Sequence, residues 1–129
     1  MAYLNLKAKP NAPHKEKFLT AEPVMPNEQR NLNLIIGELR MAEQKHPEFC
    51  KGMATTTAEN VKKYLSHCRK EKAERGTCDW ILAEEIYEAF EAYQNGNLQQ
   101  CLVELAQCGA VILRMMEMVA GEIKAGDRA

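Results

Sequence analysis

Glu84, Glu85 and Glu88 in "EEIYE", together with Glu104 in "ELAQ", are the side chains of this 129-residue chain whose type and spacing point to chemistry. Glu104 is the sharpest of them. It lies between Leu102 and Met116, where every other residue except Gln107 and Arg114 is apolar or glycine. A carboxylate in such a dry stretch needs a compensating partner. Glu85 and Glu88 are three apart and share one helix face, and Glu104 and Gln107 do the same. Carboxylates converging from two such faces repel one another and are poorly hydrated, and a divalent cation relieves both problems. All-oxygen ligands select a hard ion, Mg²⁺ or Mn²⁺. Glu85, Glu88, Glu104 and Gln107 are therefore candidate metal ligands. The alternative is a solvated acidic face, with Glu104 paired to a basic group such as Arg114.

Two helices must bring these faces together. Apolar periodicity predicts one from Cys78 or Asp79 to Gln94 and another from Leu98 to about Lys124. Between them "QNGN" is a stop and restart: Gly96 can take the left-handed conformation, and Asn97 can cap the following helix. So short a connection makes an antiparallel hairpin. Reflected about residue 96, Glu88 falls level with Glu104 and Glu85 with Gln107.

Upstream, Leu32, Leu34, Ile35, Ile36, Leu39 and Met41 mark a helix over about 28–46, with Asn27 as candidate N-cap and Pro47 beyond its end. A further helix starts after Thr57, with Asn60 in the capping-box position, and ends at Gly76. Residues 1–27 hold four of the five prolines and no helical period, and read as an extended arm before an all-α domain over 28–125. The expected architecture resembles a four-helix bundle with the antiparallel hairpin at its centre. The last helix is apolar nearly all round from Leu102 to Val119, which predicts burial on several sides and hence a homodimer or homotetramer. Met115, Met116 and Met118 are its adaptable contact residues, in an interface or in the chain's own core.

With 46% apolar and 27% charged residues, the chain has the balance of one ordinary globular domain. The formal net charge of −1, with no basic cluster beyond Lys62–Arg75, gives no electrostatic reason to expect nucleic acid. The first fifteen residues lack an apolar targeting run, and the most apolar stretch carries Glu104, Gln107 and Arg114, so neither export nor a membrane span is expected. Five cysteines without a CxxC pair suit reduced thiols and a cytoplasmic location better than a disulfide framework or a structural zinc site. Glu43 and His46 have the spacing of a di-iron half-site, but that motif needs two copies and the chain has one.

At the acidic residues the chain resembles the MazG-like, all-α nucleoside triphosphate pyrophosphohydrolases, and in particular their short, stand-alone members of phage type. Their motif is EExxE followed on a second antiparallel helix by ExxD. Here "EEIYE" supplies Glu84, Glu85 and Glu88, a gap of fifteen residues follows, and "ELAQ" supplies Glu104, with Gln107 where the family has Asp. The resemblance implies Mg²⁺-dependent hydrolysis of a (deoxy)nucleoside triphosphate to the monophosphate and pyrophosphate. It makes Glu85, Glu88 and Glu104 metal ligands, and Glu84 the catalytic group that orients or deprotonates the attacking water. Gln107 removes one negative charge from that set. The substrate's phosphates call for cations: Lys62, Lys63, Arg69, Lys70 and Arg75 on the helix after Thr57 are candidates, and Arg114 on the last helix is preferred to them because of where it lies. Trp80, the one tryptophan, is a candidate to stack on a base, with core packing as its plain alternative. The other functional reading is a non-catalytic helical oligomer that binds nucleotides or a protein partner.

Overall fold

A computed structural model describes residues 23–53 and 56–128. They form four helices, and no strand occurs among them: α1 Pro26–Lys45, α2 Ala58–Arg75, α3 Cys78–Gln94 and α4 Leu98–Arg128. The all-α expectation holds. The arm expected over 1–27 lies outside the described residues up to residue 22, and Pro26 already belongs to α1.

Local chemistry sets the helix ends. The Thr57 hydroxyl accepts the Asn60 backbone N–H at 3.2 Å and starts α2. Gly76, with φ +63°, closes it in the left-handed conformation. α1 starts two residues earlier than expected, with Met25 rather than Asn27 as its cap residue and Glu28 Oε1 accepting the Met25 backbone N–H at 2.8 Å. Pro26 explains the difference, because its fixed φ and missing N–H suit the first turn of a helix.

The turn between α3 and α4 is the one the site depends on. Gly96 has φ +74°, its N–H donates to the Tyr93 carbonyl at 3.0 Å, and the Asn97 N–H donates to the Ala92 carbonyl at 2.9 Å. This is a Schellman motif, which satisfies the last carbonyls of α3. Asn97 Oδ1 then accepts the Gln100 N–H at 3.2 Å and opens α4. Reversal therefore occurs in three residues, 95–97, with Gly96 at the bend.

The helices stand in a row. α3 packs against both α2 and α4 and α1 packs against α4, and among the described residues no other pair of helices packs. Small side chains carry the central contacts: Ala89, Ala92 and Cys101 form a buried cluster, joined by half-buried Met53 and Tyr93. With so little bulk between them, α3 and α4 approach closely along the level where the glutamates lie. On α2 the stripe Val61, Leu65 and Cys68 is buried against α3.

The apolar faces of α1 and α4 are both open to a large extent. Leu34, Ile35, Ile36, Leu39 and Met41 of α1 face solvent, Leu32 is half-buried, and the one buried residue of the helix is Asn31, whose amide donates to Glu117 Oε2 at 3.5 Å. On α4, Leu102, Leu105, Ile112, Met118 and Val119 are all more than a third exposed among the described residues. Among the described residues, the four helices supply no second layer over these positions.

Candidate metal centre

Glu85 and Glu88 project from α3 and Glu104 from α4, and each offers a carboxylate oxygen such that all three lie within 4.8 Å of one another. Glu104 is buried and its Oε1 accepts the Gln100 side-chain amide at 2.7 Å, while Glu85 and Glu88 are half-buried. Ligand oxygens about 2.1 Å from an octahedral Mg²⁺ stand roughly 3 Å apart when adjacent and about 4.2 Å when opposite. Small side-chain rotations would therefore close this triangle on one cation. The donor set is hard and all-oxygen, which suits Mg²⁺ or Mn²⁺.

Burial and mutual repulsion leave the cluster with more negative charge than its surroundings neutralise. Glu85 is pushed up to about 7, first by burial, then by its hydrogen bond to Glu104 and by the charges of Glu88, Glu104 and Glu84. Glu88 is raised as well, by burial and then by Glu104, with the Arg69 guanidinium pulling the other way. At neutral pH such a cluster binds either protons or a cation.

Glu84 occupies a different position from its neighbours. It is 7% exposed, and its two oxygens accept from Arg69 Nε at 3.2 Å and from Lys72 Nζ at 2.6 Å. Arg69 also reaches Glu88, with Nη2 3.6 Å from Oε1, so one guanidinium spans both carboxylates. The Lys72 ammonium is held above its ordinary range, first by its hydrogen bond to Glu84 and then by the charges of Glu84, Glu88 and Glu85. Both cations remain substantially exposed, at 56% and 39% of their side chains, and so present donors to solvent beside the cluster.

Of the other sequence candidates, Gln107 is on the same helix as Glu104, whereas Arg114, Lys63 and Trp80 are more dispersed. Gln107 sits one turn beyond Glu104 on α4 and is half-buried. Arg114 is ten residues from Glu104, about 15 Å along the helix, and lines a shallow pocket with Asn27, Asn31 and Glu117 on the side of α4 that meets α1. Glu117, one turn along from Arg114, pairs with Arg30 at 3.7 Å. Lys63 is exposed on α2. Trp80 is half-buried at the start of α3, edge-on to His67 with ring centroids 5.2 Å apart.

Lys72 is the site residue that sequence reasoning missed. The signal was present: Val61, Leu65, Cys68 and position 72 follow one helical stripe, at i, i+4, i+7 and i+11. A lysine ending the buried stripe of α2 must meet whatever α3 puts there, and that residue is Glu84. Compared with family models, with curated proteins and with solved structures, the chain has no match.

Proposed function

We propose that the protein is a Mg²⁺-dependent nucleoside triphosphate pyrophosphohydrolase, acting as a homodimer or homotetramer. The observation that carries this reading is the set of three carboxylate oxygens within 4.8 Å, drawn from two helices and raised in proton affinity at Glu85 and Glu88. The EExxE and ExxQ spacing, similar to that of the MazG-like enzymes, supplies the reaction class. Glu85, Glu88 and Glu104 hold the ion, with the Gln107 carbonyl as a further oxygen donor one turn along. A cation bound there would polarise the phosphate chain and acidify water.

The chain's own cations define the rest of the proposal. Arg69 and Lys72 flank the carboxylates and are half in solvent, so a triphosphate lying against the ion meets them before it meets Arg114 or Lys63. Arg69 has further N–H groups beyond those turned to Glu84 and Glu88, in the fork geometry that suits phosphate. Glu84 sets the position of both cations. A water-activating role for Glu84 requires Lys72 or Arg69 to turn away toward the phosphates and free a carboxylate oxygen.

Gln107 favours a second reading, in which the same crevice binds a nucleotide or a protein partner without turnover, because an amide in place of a carboxylate weakens the hold on the ion. The deciding experiment incubates the purified chain with each of the eight common nucleoside triphosphates and Mg²⁺ or Mn²⁺ and measures pyrophosphate. Release that vanishes in Glu88→Gln supports the enzyme. Thermal stabilisation by a nucleotide with no release in wild type supports binding alone.

A further inference from the structure

The two buried carboxylates of the hairpin, Glu84 and Glu104, are 7% and 8% exposed, and they are held differently. Glu84 accepts from two cations, Arg69 and Lys72. Glu104 Oε1 accepts from a neutral amide, that of Gln100, at 2.7 Å. A cationic partner offsets the charge of a carboxylate and competes with a metal ion for it. An amide fixes the same oxygen in space and leaves the charge available, which is how the partners of ligating carboxylates orient them.

The start of α4 explains why the Gln100 side chain is turned this way. Asn97 Oδ1 accepts the Gln100 backbone N–H at 3.2 Å, so Gln100 stands at the third helical position, where a glutamine commonly reaches back to the N–H of the cap residue. That N–H is already committed, because Asn97 donates it to the Ala92 carbonyl at 2.9 Å in the turn. The Gln100 amide runs the other way, one turn along α4, to the residue at i+4 on the same face. The tight reversal at Gly96 thus releases a side chain to the site that the reversal creates.

Glu104 is where such an orienting contact matters most. It is the one carboxylate that α4 brings to the triangle, and Glu85 and Glu88 of α3 are both hydrogen-bonded to it. An ion that bridges the two helices depends on where this carboxylate points. A glutamate has three side-chain torsions, and one already fixed loses less rotamer freedom when an ion binds.

We infer that Gln100 is a positioning residue of the metal centre: its amide fixes the Glu104 carboxylate beside Glu85 and Glu88 while leaving its charge to a divalent cation. This rests on the metal site of the proposed function and adds to it a residue outside the EExxE and ExxQ spacing. A contact that only stabilised the helix would be worth a few tenths of a kcal/mol and would not alter ion affinity.

Calorimetric titration with Mn²⁺ of wild type, Gln100→Leu and Gln100→Lys tests it, with thermal unfolding of each in chelator. Leu keeps the bulk and removes the donor. Gln100→Leu should remain folded and bind one Mn²⁺ per chain about tenfold more weakly. Lys restores a donor but makes it a cation, so Glu104 becomes like Glu84. Gln100→Lys should unfold at a higher temperature than wild type in chelator at pH 8, yet bind Mn²⁺ more weakly than Gln100→Leu does. Opposite movements of stability and ion affinity are what a merely structural contact would not produce. Wild-type affinity in a folded Gln100→Leu overturns the inference and leaves the metal centre standing, as does wild-type affinity in Gln100→Lys, which decides the matter if the Leu variant does not fold. A wild-type chain that binds no Mn²⁺ removes the centre itself, and the role of Gln100 with it.

Discussion

Replacing Glu85 by Gln should make the metal-free protein more stable at pH 8, contrary to the usual effect of altering a half-buried side chain. The Glu85 carboxyl titrates at about 7 in the folded chain against an ordinary 4.5. At about 1.4 kcal/mol per unit that is roughly 3 kcal/mol, and solvent screening of a partly open site reduces it to about 1.5 kcal/mol. The sign follows from proton affinity. The folded state holds this proton more tightly than the unfolded state, so the associated stabilisation is complete below about 4.5, declines through the window from 4.5 to 7, and is gone above it. Gln at this position carries no such penalty at any pH. Thermal unfolding in chelator should therefore place Glu85→Gln roughly 5–10 °C above wild type at pH 8, with the gap closing toward pH 5. In excess Mg²⁺ the order should invert, because the ion stabilises only the protein that binds it. A variant less stable than wild type at pH 8, or a gap that does not change with pH, would refute the reasoning that repulsion and burial strain this cluster.

Three further outcomes follow from the same geometry. Gln107→Asp restores a fourth carboxylate, so it should tighten Mn²⁺ binding by about tenfold while lowering the metal-free Tm, both measurable by titration and thermal unfolding. Gly96→Ala forces a side chain into φ +74° at the bend and should cost about 1–2 kcal/mol in urea unfolding. Cys108 is pushed up to about 11, first by burial and then by Glu85 and Glu104, and Cys50 is exposed. At pH 8 only about one Cys108 thiol in a thousand is ionised, so a thiol-exchange reagent should label Cys50 first and Cys108 only as the chain unfolds.

What could be read from the sequence was what neighbouring residues decide. Thr57 and Gly76 bound α2, and Gly96 and Asn97 mark the reversal, because caps and turns are local chemistry. The hairpin's register followed from them by counting, and the structure does bring Glu85 and Glu88 within reach of Glu104. The cations were harder. Which side chain of α2 meets Glu84 depends on how α2 lies on α3, and periodicity reports which face is apolar without saying what it faces. The same limit applies to α1. Its apolar residues were legible as a face, yet the chain alone places Asn31 inward and leaves Leu34, Leu39 and Met41 in solvent. Pro26 carried a local signal that moved the start of α1 ahead of Asn27.

Electron paramagnetic resonance of Mn²⁺ titrated with the chain tests the central claim directly, because the free aquo ion's signal falls as the ion is bound. The account requires one ion per chain in wild type, with the signal of free Mn²⁺ restored in Glu88→Gln and in Glu104→Gln. Free Mn²⁺ undiminished by wild-type protein, or equal binding by wild type and both variants, would contradict the assignment of Glu85, Glu88 and Glu104 as a cation site.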